Sequence, residues 1–226
     1  IREKYEALLE KHKTLLKIYD YEYDIEEQEK EWFDSIEMLK DFLFIDSEHY
    51  INRSLKDNKK VLAEGAQGTM LDIDFGSYPF VTSSNTICAG TCTGLGIAPS
   101  SIGEVLGVFK AYCTRVGSGP FPSELHDDTG DRLRKEGNEF GSTTGRPRRC
   151  GWIDLVALKY AIMLNGVTQL VMTKADVLDS FDSIKIATAY KRGNEIIEDF
   201  PYSIEGEMEA VLKELPGWNT SLVNVR

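Results

Sequence analysis

Three arginines, Arg146, Arg148 and Arg149, stand in one short run with Ser142, Thr143, Thr144, Gly145 and Pro147, in a chain whose net charge is −11. A guanidinium presents a planar fork that matches a carboxylate or phosphate through paired hydrogen bonds. Hydroxyls add single donors, and Gly145 is expected to leave backbone N–H groups accessible. The run reads as an anion site, and the alternative is a solvated basic loop paired with acidic neighbours. In Thr173-Lys174-Ala175-Asp176, a carboxylate can accept from guanine N1–H and the exocyclic amine together, with the lysine stem along the base face. Lys-x-Asp is also common on plain surface turns. Gln67, between glycines in Glu64-Gly-Ala-Gln-Gly-Thr69, can donate and accept at a purine edge, and the hydroxyls of Val81-Thr82-Ser-Ser-Asn-Thr86 can hold a phosphate. Turn chemistry and strand-end capping explain the same residues equally well. From the residues alone, the reading stops at an anion and nucleotide site.

The elements that must position these groups follow from periodicity. Tyr5, Leu8, His12, Leu15 and Tyr19 recur at helical spacing, as do Trp32, Ile36, Leu39 and Leu43, predicting two or three amphipathic helices up to about Lys60. The acidic Glu26, Glu27, Glu29 and Glu31 read as a solvated helix face. Val61-Leu62-Ala63 predicts a short buried strand, followed by ten glycines from Gly65 to Gly119. Between Phe75 and Ser123 the only carboxylate is Glu104, so this stretch is expected to pack inside while its glycines let backbone approach a ligand. Ser100 to about Tyr112 predicts a helix, Asp127 to Gly137 a polar loop, and Trp152 to Leu164 a buried helix with Asp154 in its first turn. Gln169–Met172 and Ile184–Tyr190 predict strands. The order strand, helix, strand implies an α/β fold with parallel pairing, in which Lys174 and Asp176 follow a strand end, where such sheets carry ligand loops.

Composition excludes several classes. With 26 Lys and Arg against 37 Asp and Glu, the chain lacks the basic surface that nucleic acid or anionic membrane binding needs. No run of apolar residues is long enough to span a bilayer and the first residues have no signal-peptide layout, so a cytoplasmic location is expected. Cys88, Cys92, Cys113 and Cys150 have no zinc-type spacing and read as buried small hydrophobes. His12, His49 and His126 are scattered. The missing initiator Met and the end at Val225-Arg226 suggest a longer protein trimmed at both ends.

Longer blocks carry a resemblance. Glu64-Gly-Ala-Gln-Gly-Thr-Met-Leu-Asp-Ile-Asp74, Tyr78-Pro-Phe-Val-Thr-Ser-Ser-Asn85, Thr114-Arg-Val-Gly-Ser-Gly-Pro-Phe-Pro122, Phe140-Gly-Ser-Thr-Thr-Gly-Arg-Pro-Arg-Arg-Cys-Gly-Trp152 and Leu215-Pro-Gly-Trp218 resemble, in order, the blocks of adenylosuccinate synthetases. The resemblance implies a P-loop-NTPase-like α/β fold with a mixed, largely parallel sheet. It divides the chain into a helical segment over 1–60 and a nucleotide- and aspartate-binding core over 61–226, parts of one larger domain. It further implies IMP contacts from Gln67, Thr82 and Arg146. An aspartate loop would be formed by Ser142, Thr143, Thr144, Gly145, Arg146, Pro147 and Arg148, and GTP contacts would come from Arg148, Lys174, Ala175 and Asp176. Small-molecule substrates IMP, GTP and L-aspartate, Mg2+ with the GTP, and a homodimer of the full-length protein belong to the same implication.

Some positions depart from the family pattern. Phe75 stands where the family usually has His, Ala175 where a larger apolar residue is usual, and Cys88 and Cys92 at usually small positions. The family's phosphate loop, its metal ligands, and the Asp and His that act as general base and acid are expected upstream of Ile1. The resemblance therefore implies a chain that supplies recognition and is inactive alone. A non-catalytic nucleotide-binding or interaction protein derived from the enzyme is the alternative.

Overall fold

The computed structural model describes residues 1–19, 24–204 and 208–223. They divide into two compact units, Ile1–Asp46 and Ser47–Arg226.

The first unit holds α1 (Arg2–Tyr19) and α2 (Glu26–Leu39). Tyr5 stacks on Trp32 with ring centroids 5.2 Å apart and meets Phe33 edge-on, while the Arg2 guanidinium lies 4.0 Å from the Phe33 ring centre. No residue of either helix is fully buried. The expected stripe on α1 is displaced: Leu8, Leu15 and Tyr19 are exposed, and the less exposed line runs through Tyr5, Leu9 and Leu16. Glu26, Glu27 and Glu31 face solvent, as a charged helix face should.

The second unit contains α3 (Ser47–Lys56), α4 (Ala89–Leu95), α5 (Asp128–Glu136) and α6 (Leu155–Asn165) with seven strands. Strands β1 (Leu106–Lys110) and β4 (Gln169–Thr173) form a parallel pair. In a five-stranded mixed sheet β3 (Arg149–Asp154) is an interior strand, antiparallel to β2 (Tyr112–Arg115) and parallel to β5 (Ser183–Arg192). β6 (Glu195–Ile197) and β7 (Glu209–Pro216) both pair antiparallel with β5. The core lies where α5, β2, β3 and the turn Ala175–Leu178 meet, built from Tyr112, Leu133, Cys150, Trp152, Val177, Leu178, Phe181 and Ile184.

Four expected elements are corrected. Val61-Leu62-Ala63 is not a strand: no ladder partner among the described residues reaches it, and Leu62 is 87% exposed. Ser100 to Tyr112 is not a helix but a short 3₁₀ turn (Pro99–Ser101) followed by β1. Gly107, which weakens a helix, and alternating Leu106, Val108 and Lys110 suit a strand that finds a parallel partner in β4. Asp127 to Gly137 is not a loop. Asp127 caps α5 by accepting from the N–H groups of Thr129 (3.1 Å) and Gly130 (3.2 Å), and one wholly buried residue, Leu133, anchors the helix.

The fourth correction divides a helix in two. Trp152 and Ile153 belong to β3, and the helix begins only at Leu155, with Asp154 as its cap accepting from Ala157 N–H at 3.0 Å. β3 is an interior strand buried on both faces, so its apolar run carries no alternation to betray it. The glycine-rich stretch is also more open than expected, since Tyr78, Phe80, Leu106 and Val108 are exposed. Of the cysteines only Cys150 is buried, and all four are free.

Candidate functional site

The anion loop is a closed hairpin. Phe140 bridges Pro147, Gly141 N–H donates to Arg146 O at 2.9 Å, and Arg148 N–H donates to Glu139 O at 3.0 Å. Gly145 takes φ +64, the left-handed region that suits glycine, and a Cβ there would meet nothing. Its N–H is spent inside the loop on Gly141 O at 2.8 Å, and Arg146 N–H approaches Thr144 Oγ1 at 3.4 Å, so these amides do not face outward as expected. What faces outward is side chain. Ser142, Thr143, Thr144 and Arg146 are exposed, and the Arg146 guanidinium has no hydrogen bond among the described residues.

The three arginines have different employment. Arg149 forms a bidentate ion pair with Glu124 and donates to the carbonyls of Gly117 (3.1 Å) and Gly119 (2.9 Å), which makes it a brace for the 117–124 loop. Burial would depress its guanidinium, but the Glu124 hydrogen bond comes first and holds its pKa above the ordinary value. Arg148 donates from Nη1 to Glu139 Oε2 at 2.7 Å, and its Nε is buried without a partner among the described residues. Only Arg146 presents its whole fork to solvent.

The Gln67 and Thr82 segments are tied to each other through backbone. Thr82 N–H donates to Leu71 O (2.8 Å), Leu71 N–H to Gly68 O (2.9 Å), and Thr86 Oγ1 to Gly68 O (2.9 Å). Gln67 itself is exposed with φ +70. The 72–87 loop is wound around a carboxylate that the sequence reading passed over. Asp72, wholly buried, accepts from the N–H groups of Asp74 (2.9 Å), Phe75 (3.1 Å), Thr86 (2.7 Å) and Ile87 (3.2 Å). Burial alone would raise its pKa, but the four donors together hold it below the ordinary value.

Arg115 carries this loop to the sheet. At the end of β2 it donates to Ser77 Oγ and Phe80 O, both at 3.1 Å, and its register partner in β3 is Arg149. The loop bearing Thr82 and the hairpin bearing Arg146 therefore adjoin one end of the β2–β3 ladder. The Lys174 turn, coming from the parallel pair, meets the opposite end of β2. Lys110 and Thr173 are in register at the C-terminal ends of β1 and β4, where the chain turns through Lys174 at φ +61. Lys174 Nζ donates to Gly137 O at 2.6 Å, Ala175 packs on the core, and Asp176 is exposed. Ligand loops at the carboxyl ends of parallel strands are where open α/β sheets bind ligands.

Glu139 joins these pieces. It is 1% exposed, and it accepts from Lys110 Nζ (2.6 Å), Tyr112 OH (2.6 Å) and Arg148 Nη1. Neither Glu139 nor Asp72 was legible as a site residue, because a lone carboxylate beside apolar neighbours carries no local pattern. Among the described residues no group of three or more His, Cys, Asp or Glu side chains is placed to hold a metal ion.

The mixed α/β architecture, with its parallel strand pairs and long connecting loops, places the chain in the P-loop-like class of folds. The model of the family described as adenylosuccinate synthetase matches residues 1–226. The chain is 63% identical over 224 residues to the adenylosuccinate synthetase of Bacteroides thetaiotaomicron, covering 99% of this chain and 53% of that protein. It is 56% identical over 227 residues to that of Christiangramia forsetii, covering 99% of this chain and 54% of that protein. A solved, fully ligated adenylosuccinate synthetase from Plasmodium falciparum superposes with a TM-score of 0.86 at 40% identity, over 96% of this chain and 52% of that one. The chain belongs to the adenylosuccinate synthetase family. It spans about half the length of the curated relatives it matches. No helix among the described residues is long and apolar enough to cross a membrane.

Proposed function

We propose that this chain serves the GTP-dependent ligation of L-aspartate to IMP, giving adenylosuccinate, GDP and phosphate in purine nucleotide synthesis. The observation that carries the reading is the clamped hairpin, with exposed Thr143, Thr144 and Arg146, beside the Lys174–Asp176 turn at the strand ends. The IMP oxygen O6 is a poor leaving group. Transfer of the GTP γ-phosphoryl to it, with loss of the N1 proton, makes it a good one. The aspartate amine then attacks C6, phosphate leaves with the C6–O6 bonding pair, and the amine sheds its proton. Negative charge spreads over the phosphoryl oxygens in the first step, and fixed guanidinium groups stabilise it without reorganising.

In this reading Arg146 grips IMP and aspartate, and Arg148 steadies aspartate and approaches GTP. Thr143 and Thr144 donate to the aspartate carboxylates. Gln67 reads the IMP base, Thr82 holds its phosphate, and Asp176 reads guanine. The acid and base, and the residues that hold the magnesium accompanying GTP, are proposed to lie in the half of the relatives' length that this chain does not span. A homodimer of the full-length protein and a cytoplasmic location belong to the same proposal.

The test uses the full-length protein and Asp176→Asn. An amide nitrogen opposite the guanine 2-amino group places donor against donor, while xanthine offers an oxygen there. Relative kcat/KM should move from GTP towards XTP by at least about two orders of magnitude, because a mismatch leaves desolvated polar groups unpaired. Formation of adenylosuccinate by the wild type is the first readout, and a mutant that keeps the GTP preference would remove Asp176 from the base site.

A further inference from the structure

The hairpin is closed twice by the same two residues. Arg148 N–H donates to Glu139 O, and Arg148 Nη1 donates to the Glu139 carboxylate. Arg134 Nε then fastens the Arg148 carbonyl at 2.8 Å, so the backbone on both sides of the guanidinium stem is held. Glu139 is itself held, with Oε1 shared by Lys110 Nζ and Tyr112 OH. Burying a carboxylate carries a desolvation penalty even after the surroundings relax, and well-packed apolar groups commonly replace such ion pairs without loss of stability. The surrounding core of Tyr112, Leu133, Cys150 and Trp152 supplies the apolar packing already. What the ion pair adds is direction. An arginine side chain loses rotamer entropy when it is fixed, and fixing it before the ligand arrives removes that cost from binding.

We propose that Glu139 is a positioning residue: it holds Arg148 in the orientation in which the 142–148 hairpin receives a carboxylate-bearing substrate. Lys110 and Tyr112 hold Glu139 in turn. The inference rests on the reading of this hairpin as the aspartate site. Nη1 is committed to Glu139, so the direction of the side chain is set by the hairpin's own closure, and Nε is buried without a partner among the described residues. Lys174 donates to Gly137 O, two residues before Glu139, so the turn proposed to read guanine is anchored to the same corner.

The experiment compares wild type, Glu139→Gln, Arg148→Leu and the double variant in the full-length protein. The hairpin amides of Gly141 and Gly145 should exchange hydrogen at least about 10-fold faster in Glu139→Gln, with those of β5 unchanged, since only a local opening is made easier. The KM for aspartate should rise at least about 10-fold. Glu139→Gln should add less than about 2-fold on top of Arg148→Leu, because a residue acting through another has nothing left to position. Unchanged hairpin exchange, an unchanged KM for aspartate or additive effects would overturn the proposal. If the wild type makes no adenylosuccinate, the functional reading fails by itself, and the exchange measurement still decides whether Glu139 orders the hairpin. Should Glu139→Gln not fold, Glu139→Asp, which withdraws the charge by one methylene, carries the same measurements and the same expected changes.

Discussion

At the scale of single residues, like side chains do unlike work. Arg146, Arg148 and Arg149 are close in sequence, yet Arg149 is spent on Glu124 and two carbonyls, Arg148 is half spent on Glu139, and Arg146 is exposed. A group with no internal partner has nothing to lose but its ligand. Arg146→Leu in the full-length protein should therefore leave thermal stability nearly unchanged. It should cost at least about 2 kcal/mol of transition-state stabilisation through a lost charge-assisted contact. Steady-state kinetics with aspartate varied check this, and an unchanged kcat/KM would return Arg146 to the solvated loop it could equally have been from sequence. The same truncation at Arg149 strands Glu124, a half-buried carboxylate, so that variant reports on folding rather than on substrate.

At the scale of elements, the junction of β3 and α6 turns on Asp154. Its Oδ1 caps the helix through Ala157 N–H, and its Oδ2 accepts from Tyr190 OH at 2.7 Å, inside the sheet. Burial raises its pKa, and the hydrogen bonds from Ala157 and Tyr190 offset this only in part. A carboxyl whose folded pKa lies above its unfolded value binds more protons when folded. Its contribution to stability is fully present below the unfolded pKa and is lost as pH rises through the folded one. Asp72 and Glu139 run the other way: their pKa values are lowered, so their contribution is present above the unfolded value and lost as pH falls through the folded one. Asp154→Asn can still cap α6 through its carbonyl. The stability difference between wild type and this variant should therefore shift towards the wild type as pH is lowered from neutral into the carboxylate range. Urea unfolding of both proteins across that range measures it, and a pH-independent difference would show that Asp154 titrates as it does in water.

At the scale of the second unit, stability is unevenly distributed. β5 is paired by β3, β6 and β7 and carries the buried Ile184, Ala187, Ala189 and Tyr190. Among the described residues β1 and β4 pair only with each other, and Leu106, Val108, Leu170, Val171 and Met172 stand 53, 69, 47, 45 and 55% exposed. Parallel strands are ordinarily covered on both faces, and a two-stranded sheet is marginal by itself. In this 226-residue chain, the amides of β1 should exchange at least about 10-fold faster than the β5 amides bonded to β7. Equal protection would show that the parallel pair is as well supported as the larger sheet.

Local chemistry was enough to single out the hydroxyl and arginine run of Ser142–Arg148, the Lys174–Asp176 turn, Gln67 and Thr82, because each groups donors or acceptors within a few residues. It was enough also for β4 and β5, whose apolar runs end in polar turns, and for the presence of the helices α1 and α2, though not for the face each turns inward. The blocks from Glu64 to Trp218 carried the family. Tertiary structure alone decided that Leu106–Lys110 is a strand, since the partner that makes it one begins at Gln169. It also decided that Trp152 lies in a strand, since a segment buried on both faces loses the alternation by which strands are read. The employment of the three arginines was likewise undecidable from spacing, because each depends on a carboxylate or carbonyl contributed by another segment. Glu139 shows why most plainly: its three partners, Lys110, Tyr112 and Arg148, come from β1, β2 and the far side of its own hairpin, and a carboxylate defined by contacts distant in sequence leaves no periodic trace in the chain itself.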